Sequence, residues 1–187
     1  MLLLICCLVA AAYALTQDRI QYGDGYPYDA SYYMSMAKRV SQAEPIAAPK
    51  PFVYRVGLPY LVGTIFPNDI IDGFCYINLI FGALTLFLLY FYLSSFTKSA
   101  VVILIVLLLF VTNPFAPFRL APFYPAYTDP PALFVMLSIF CAYQKWPGFS
   151  LAKILTITLL SFVGVLFREM VLMAPLSLLC ASVSWLQ

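Results

Sequence analysis

The sequence predicts an all-α integral membrane protein, and three observations carry that prediction. Hydrophobic residues make up 64% of the 187 residues and charged residues only 10%, against roughly 25% charged in a soluble domain. Mean hydropathy is +0.94. The apolar residues come in long runs separated by short polar or proline-rich segments, as in consecutive helices in lipid. About five to seven transmembrane or re-entrant helices fit this pattern, together with an extracytoplasmic amphipathic surface helix in the first loop. All of it reads as one transmembrane domain, 1–187.

Composition also excludes function classes. A net charge of +2, with basic residues scattered along the chain, gives no footprint for nucleic acid. Cys6, Cys7, Cys75, Cys141 and Cys180 sit in apolar runs without CxxC spacing, so they read as small core residues and not as a disulfide framework or thiolate metal site. There is no histidine, which removes a Ser-His-Asp triad and every His-ligated metal. Any proton carrier must be Asp, Glu, Lys, Tyr or an activated water.

Met1 to Leu15 is apolar but shorter than the ~20 residues that cross a bilayer core. It reads as an N-terminal span or as a signal peptide, for which Ala12-Tyr13-Ala14 has the cleavage-site form; the lack of a basic n-region favours the span. The first external loop, about 16–55, is polar and rich in tyrosine. Pro27 predicts a helix start near Tyr28, because proline needs no N–H partner in a first turn. From there to Ser41, Ala30, Tyr33, Met36, Ala37 and Val40 recur at helical spacing. Ser31, Ser35, Lys38, Arg39 and Gln42 fall on the other side, which describes an interfacial amphipathic helix with Lys38 and Arg39 toward lipid headgroups.

Glu44 to Pro51 holds three prolines in eight residues and reads as an irregular connection. Val56 to Phe66 is long enough only for a half-helix. Ile70 to Leu93 is long enough to span, with Asp72 and Asn78 expected to face protein or the interface. Ala100 to Thr112 is the purest apolar run. The polar external loop after it, about 113–130, carries six prolines by Pro131 and is expected to exclude regular helix. Leu133 to Tyr143 is a span starting near Asp129, and Gln144 to Gly148 a turn with an aromatic anchor. Ile154 to Phe167 and Met170 to Leu186 are the last apolar runs, parted by Arg168-Glu169.

Alternation of these segments places every carboxylate on the outer face. The inner turns keep Lys98, Lys145 and Lys153, in line with the positive-inside tendency. Asp24, Asp29, Arg55, Arg119, Asp129, Arg168 and Glu169 then converge on one surface, either as a shared polar cavity or as ordinary interfacial pairs across neighbouring helix ends.

The words GDGYPYDASYYMSMA, PFVYRVGLPYLV, YTDPPALFVML and VLFREMVLM, in this order, resemble the multi-spanning glycosyltransferases of the GT-C superfamily. The resemblance covers nearly the whole chain, through the order of motifs that are each loose. It implies a multi-pass protein of a bacterial inner (plasma) membrane, moving a sugar from a polyprenyl-phosphate donor to an acceptor glycan, lipid or protein at the extracytoplasmic face. It also implies a catalytic acid in the first external loop: Asp29, by its register on the surface helix, or Asp24 in its Gly-Asp-Gly setting. A carboxylate in a first turn faces the positive end of the helix dipole and can accept the acceptor's proton.

The leaving phosphate calls for guanidinium groups, with Arg55 and Arg168 ahead of Arg119. Asp129 can steady these arginines, begin the helix behind it, or hold Mg or Mn, since some relatives use a divalent metal; no cofactor is otherwise implied. Glu169 neighbours Arg168, but adjacent helical residues do not face each other. The family has more spans, so the chain is expected to be a C-terminally incomplete member. A transporter or channel-like protein and a non-catalytic membrane scaffold are the alternatives, although no internal repeat of the transporter kind is visible.

Overall fold

The computed structural model describes residues 1–146, 148 and 150–184; Pro147 of the predicted aromatic turn and Leu186 of the last apolar run lie outside them. The described residues form α-helices and three short 3-10 turns, with no strand among them. In chain order the helices are α1 Leu2–Thr16, α2 Asp29–Ser41, α3 Gly57–Ile65, α4 Ile70–Phe96, α5 Ala100–Thr112, α6 Pro117–Phe123, α7 Asp129–Lys145, α8 Leu151–Val165 and α9 Met173–Ser184. The 3-10 turns are Tyr22–Gly25, Phe52–Tyr54 and Glu169–Leu172.

Two stretches among the described residues are long and apolar enough to cross a membrane, Ile70–Phe96 and Ala100–Phe123, the second including the bend between α5 and α6. The sequence led us to expect about five to seven transmembrane or re-entrant helices. The remaining helices have that apolar character in part, but none exceeds the 17 residues of α7.

Two cores hold the molecule. The larger gathers Tyr33, Met36, Leu58, Val62, Phe74, Ile77, Val135, Ile139 and Val171 from α2, α3, α4, α7 and the last 3-10 turn. The smaller joins Cys6, Leu86, Ile103, Leu107, Val111 and Phe118 from α1, α4, α5 and α6. All five cysteines are free.

The apolar stripe of α2 is the one expected, yet it faces protein and not lipid. Ala30, Tyr33, Met36 and Ala37 are buried because α3 lies against them so closely that only glycine fits at Gly63. A Cβ there would run into the Ala37 carbonyl oxygen and stand 2.8 Å from Val40 Cβ. The proline-rich segment also departs from expectation, since α6 is regular helix over seven residues. Pro117 sits at its first position, where the N–H has no partner in any helix. Pro122 forfeits one bond, and its neighbours carry the turn, with Leu120 N donating to Ala116 O at 2.9 Å and Tyr124 N to Leu120 O at 2.7 Å.

Helix directions follow from contacts at both ends. Near their starts, α4 and the segment leading into α7 are tied by Asn78, whose Nδ2 donates to Pro125 O at 2.8 Å and Tyr127 O at 3.0 Å. Near their ends, Gln144 Nε2 donates to Ser95 Oγ at 2.6 Å. These two helices therefore run in parallel, and α5 and α8, joined to them by short turns, run back. The end of α1 reaches α6, where Ile20 N donates to Phe123 O at 2.9 Å. All eight carboxylates consequently lie toward one end of the bundle, and Lys98, Lys145 and Lys153 toward the other.

Candidate functional site

At the acidic end, the site is built outward from α2. Asp29 opens that helix, with an exposed side chain that makes no hydrogen bond or ion pair among the described residues. Its helix start is anchored by Tyr124, whose Oη donates to Pro27 O at 2.7 Å and accepts from Ala30 N at 3.1 Å. The phenol thus adds a second acceptor for the Ala30 N–H, which also donates to Pro27 O at 3.2 Å, at a helix start where backbone donors lack intrahelical partners. Burial pushes the Tyr124 phenol up; the Ala30 N–H works against this, and the charge of Asp29 adds to the rise.

One turn beyond Asp29 on the same helical face stands Tyr33, whose hydroxyl accepts from Arg55 Nη1 at 3.1 Å. The same guanidinium grips Glu169, with Nε to Oε2 at 2.9 Å and Nη2 to Oε1 at 2.5 Å. Backbone brings these distant segments together: Gly57 N donates to Leu166 O at 2.7 Å, a contact that a Cβ on Gly57 would crowd at 3.0 Å. The Arg55 side chain is 11% exposed and that of Glu169 53%. The Arg55 hydrogen bonds, opposed by desolvation, hold the Glu169 carboxyl down at about 2. Glu169 and Tyr33 in turn raise the Arg55 guanidinium above its ordinary value, against desolvation.

Arg168 pairs with Asp129 at the start of α7. Neighbours in sequence, Arg168 and Glu169 thus reach different partners. Asp129 is consequently committed to an arginine. Among the described residues no group of three or more His, Cys, Asp or Glu could hold a metal ion.

Two sequence candidates stand apart from this cluster. Asp24 lies across a kink with positive φ (55°), in a shallow cleft with Asp18 and Arg19. Arg119 lies over the Tyr13 ring, 5.4 Å from its centroid, and forms no ion pair among the described residues. Two further residues belong to the site that residue type alone did not mark: Tyr33, read only as a member of an apolar stripe, and Tyr124. The spacing of Tyr33 four residues after Asp29 was a usable signal. Nothing near Tyr124 in the sequence points to Ala30, 94 positions away.

Fold and site together define an all-helical chain with an arginine–carboxylate–tyrosine cluster at one end of a bundle that contains two helices fit to cross a membrane. Comparison with known proteins finds no matching family model, no matching curated protein and no matching solved structure.

Proposed function

We propose that this chain is a multi-pass membrane protein of a bacterial inner membrane. In this reading it is a GT-C-type glycosyltransferase that moves a sugar from a polyprenyl-phosphate donor to an acceptor at the extracytoplasmic face. The bilayer reading draws on large apolar side chains left outward on the long helices, among them Ile80, Leu84, Phe87 and Phe91 on α4 and Ile105 and Leu109 on α5. An apolar surface of that extent marks a lipid or protein partner. The end without carboxylates keeps Lys98, Lys145 and Lys153 as its charged side chains, and this gives the orientation.

The observation that carries the chemical reading is Asp29, exposed and unpaired, on a helix start anchored by Tyr124, one turn from the tyrosine that holds Arg55. In the proposed step Asp29 takes the proton of the acceptor hydroxyl or amine. The freed electron pair forms the new bond to the anomeric carbon, and the bond from that carbon to the phosphate oxygen breaks with its electrons on the phosphate. Arg55 and Arg168 offer the guanidinium donors for that charge, by exchanging or sharing Glu169 and Asp129. The same pairing favours the scaffold reading, in which both arginines only clamp helix ends.

The test is sugar transfer by the full chain in vesicles supplied with a polyprenyl-linked donor. Asp29→Asn is expected to abolish transfer at unchanged expression. Loss in Asp24→Asn alone would move the base to Asp24, and full activity in both variants and in the double variant would sink the assignment.

A further inference from the structure

At the lysine end a second concavity opens between the end of α7, the first half of α8 and α9. Its volume is about 470 Å³, within the ~300–1,000 Å³ of small-molecule sites. Its walls are mainly apolar, with Ile157, Pro175 and Leu178 along the sides, and Tyr143, Lys153 and Thr158 as polar groups. Lys153 sits at the mouth. Its Nζ donates to Trp146 O at 3.1 Å and Gly148 O at 3.3 Å and stands 3.7 Å from the centre of the Tyr143 ring.

Three features distinguish this groove from an ordinary packing gap. An ammonium has three N–H donors; here two go to carbonyls and the third side lies against the Tyr143 ring, partners that hold the cation in place without neutralising its charge. Among the described residues no Asp or Glu lies at this end of the bundle to neutralise it. Thr158, five residues and roughly 7.5 Å of helix rise beyond Lys153, makes no hydrogen bond among the described residues. Thr85, Thr112 and Ser161, by contrast, bond back to the carbonyl four residues earlier. A cation at the rim, a free hydroxyl about a turn and a half deeper and apolar walls beyond match one molecule in order: an anionic phosphodiester, a glycerol ester carbonyl and an acyl chain.

We propose that this groove binds an anionic glycerophospholipid, with the phosphate on Lys153 and an ester oxygen on Thr158. The site rests on the membrane placement proposed above, not on sugar transfer, and it lies at the opposite end from Asp29. The phosphate meets the unneutralised Lys153 charge, taking the N–H that faces the Tyr143 ring, while the two carbonyl bonds keep the ammonium in place. Lys145, over the Trp146 ring at 5.2 Å, adds to the positive field at the rim without lining the groove.

The full chain would be extracted from membranes in mild detergent and its retention of phosphatidylglycerol and phosphatidylcholine, offered in equal amounts, measured by native mass spectrometry. The expected result is preferential retention of one phosphatidylglycerol. Loss of a charge-assisted hydrogen bond in Lys153→Gln should weaken it on the order of tenfold or more. Thr158→Phe, an exposed position where a ring fills the groove without touching the turn, should abolish it. Lys98→Gln, which removes a charge at the same end but outside the groove, should leave it intact.

Equal retention of both lipids, unchanged retention in Lys153→Gln or in Thr158→Phe, or equal loss in Lys98→Gln would each overturn the proposal. Alkaline carbonate extraction separates the two failures. A chain released from membranes by carbonate refutes the placement itself, whereas one that stays and shows no lipid preference refutes only this site.

Discussion

Arg55 holds Glu169 through two parallel hydrogen bonds across 114 positions of sequence, and the same guanidinium reaches Tyr33 on α2. One side chain therefore joins the loop before α3, the surface of α2 and the turn between α8 and α9.

Arg55→Ala is expected to destabilise the chain by about 1–2 kcal/mol, a figure kept low because Glu169 is half exposed and screened by solvent. A melting temperature lower by roughly 2–8 °C in detergent would register it. Arg55→Lys should recover only part of the loss, since an ammonium cannot offer the two-pronged fork. The pair also has a pH signature. Folding lowers the Glu169 carboxyl from 4.5 to about 2, so the native state favours its ionised form. That contribution is complete above the unfolded value and fades as pH falls from about 4.5 toward 2. The stability difference between the parent and Glu169→Gln should accordingly be largest near pH 6 and shrink across this window. A difference that is constant from pH 6 to pH 3 would contradict the pairing.

Tyr124→Phe removes both the donor to Pro27 O and the acceptor for Ala30 N. The buried Ala30 N–H keeps Pro27 O as an acceptor at 3.2 Å, so the loss should be held to about 0.5–1.5 kcal/mol, that of an ordinary hydrogen bond. Hydrogen exchange should report this locally, with faster exchange confined to the first turn of α2 and the rest of the bundle protected. If the proposed base assignment holds, transfer should fall in step with that local loosening.

The orientation can be checked by labelling. Gln42→Cys and Lys98→Cys place thiols at exposed positions of opposite ends, and the parent chain supplies the background of its five cysteines. A membrane-impermeant maleimide should label Gln42→Cys in intact cells and Lys98→Cys only after permeabilisation. Labelling of both, or the reverse order, would contradict the proposed placement.

Much of this architecture is legible in residue order, for stated reasons. α2 starts at Asp29, within a residue of the expected Tyr28, with Pro27 just before the cap and not in the first turn, where its carbonyl accepts from Ala30 N and the Tyr124 hydroxyl. The three prolines of Glu44 to Pro51 leave that segment without helix, and Asn78 had to face protein because a bare amide among apolar side chains is costly. What sequence could not supply is the partner across space. Periodicity shows that α2 has an apolar face but not that α3 covers it; that depends on Gly63 permitting close approach. The same limit applies to the arginines. Residue type marks Arg55 and Arg168 as cations at helix ends, while their carboxylate partners emerge only when the turn after α8 docks on Gly57. Proline counting failed at α6 because position within the helix, and not number, decides what a proline costs.

The unequal lengths of the helices have a mechanical consequence on the proposed placement. The 27 residues of α4 rise roughly 40 Å, and the 15 of α8 roughly 22 Å, on either side of the ~30 Å thickness of a hydrocarbon core. Such mismatch is relieved by tilting a long helix and thinning the lipid beside a short one. The bilayer would then be dimpled on the flank of α8 and α9, and the two polar surfaces would come closest together there.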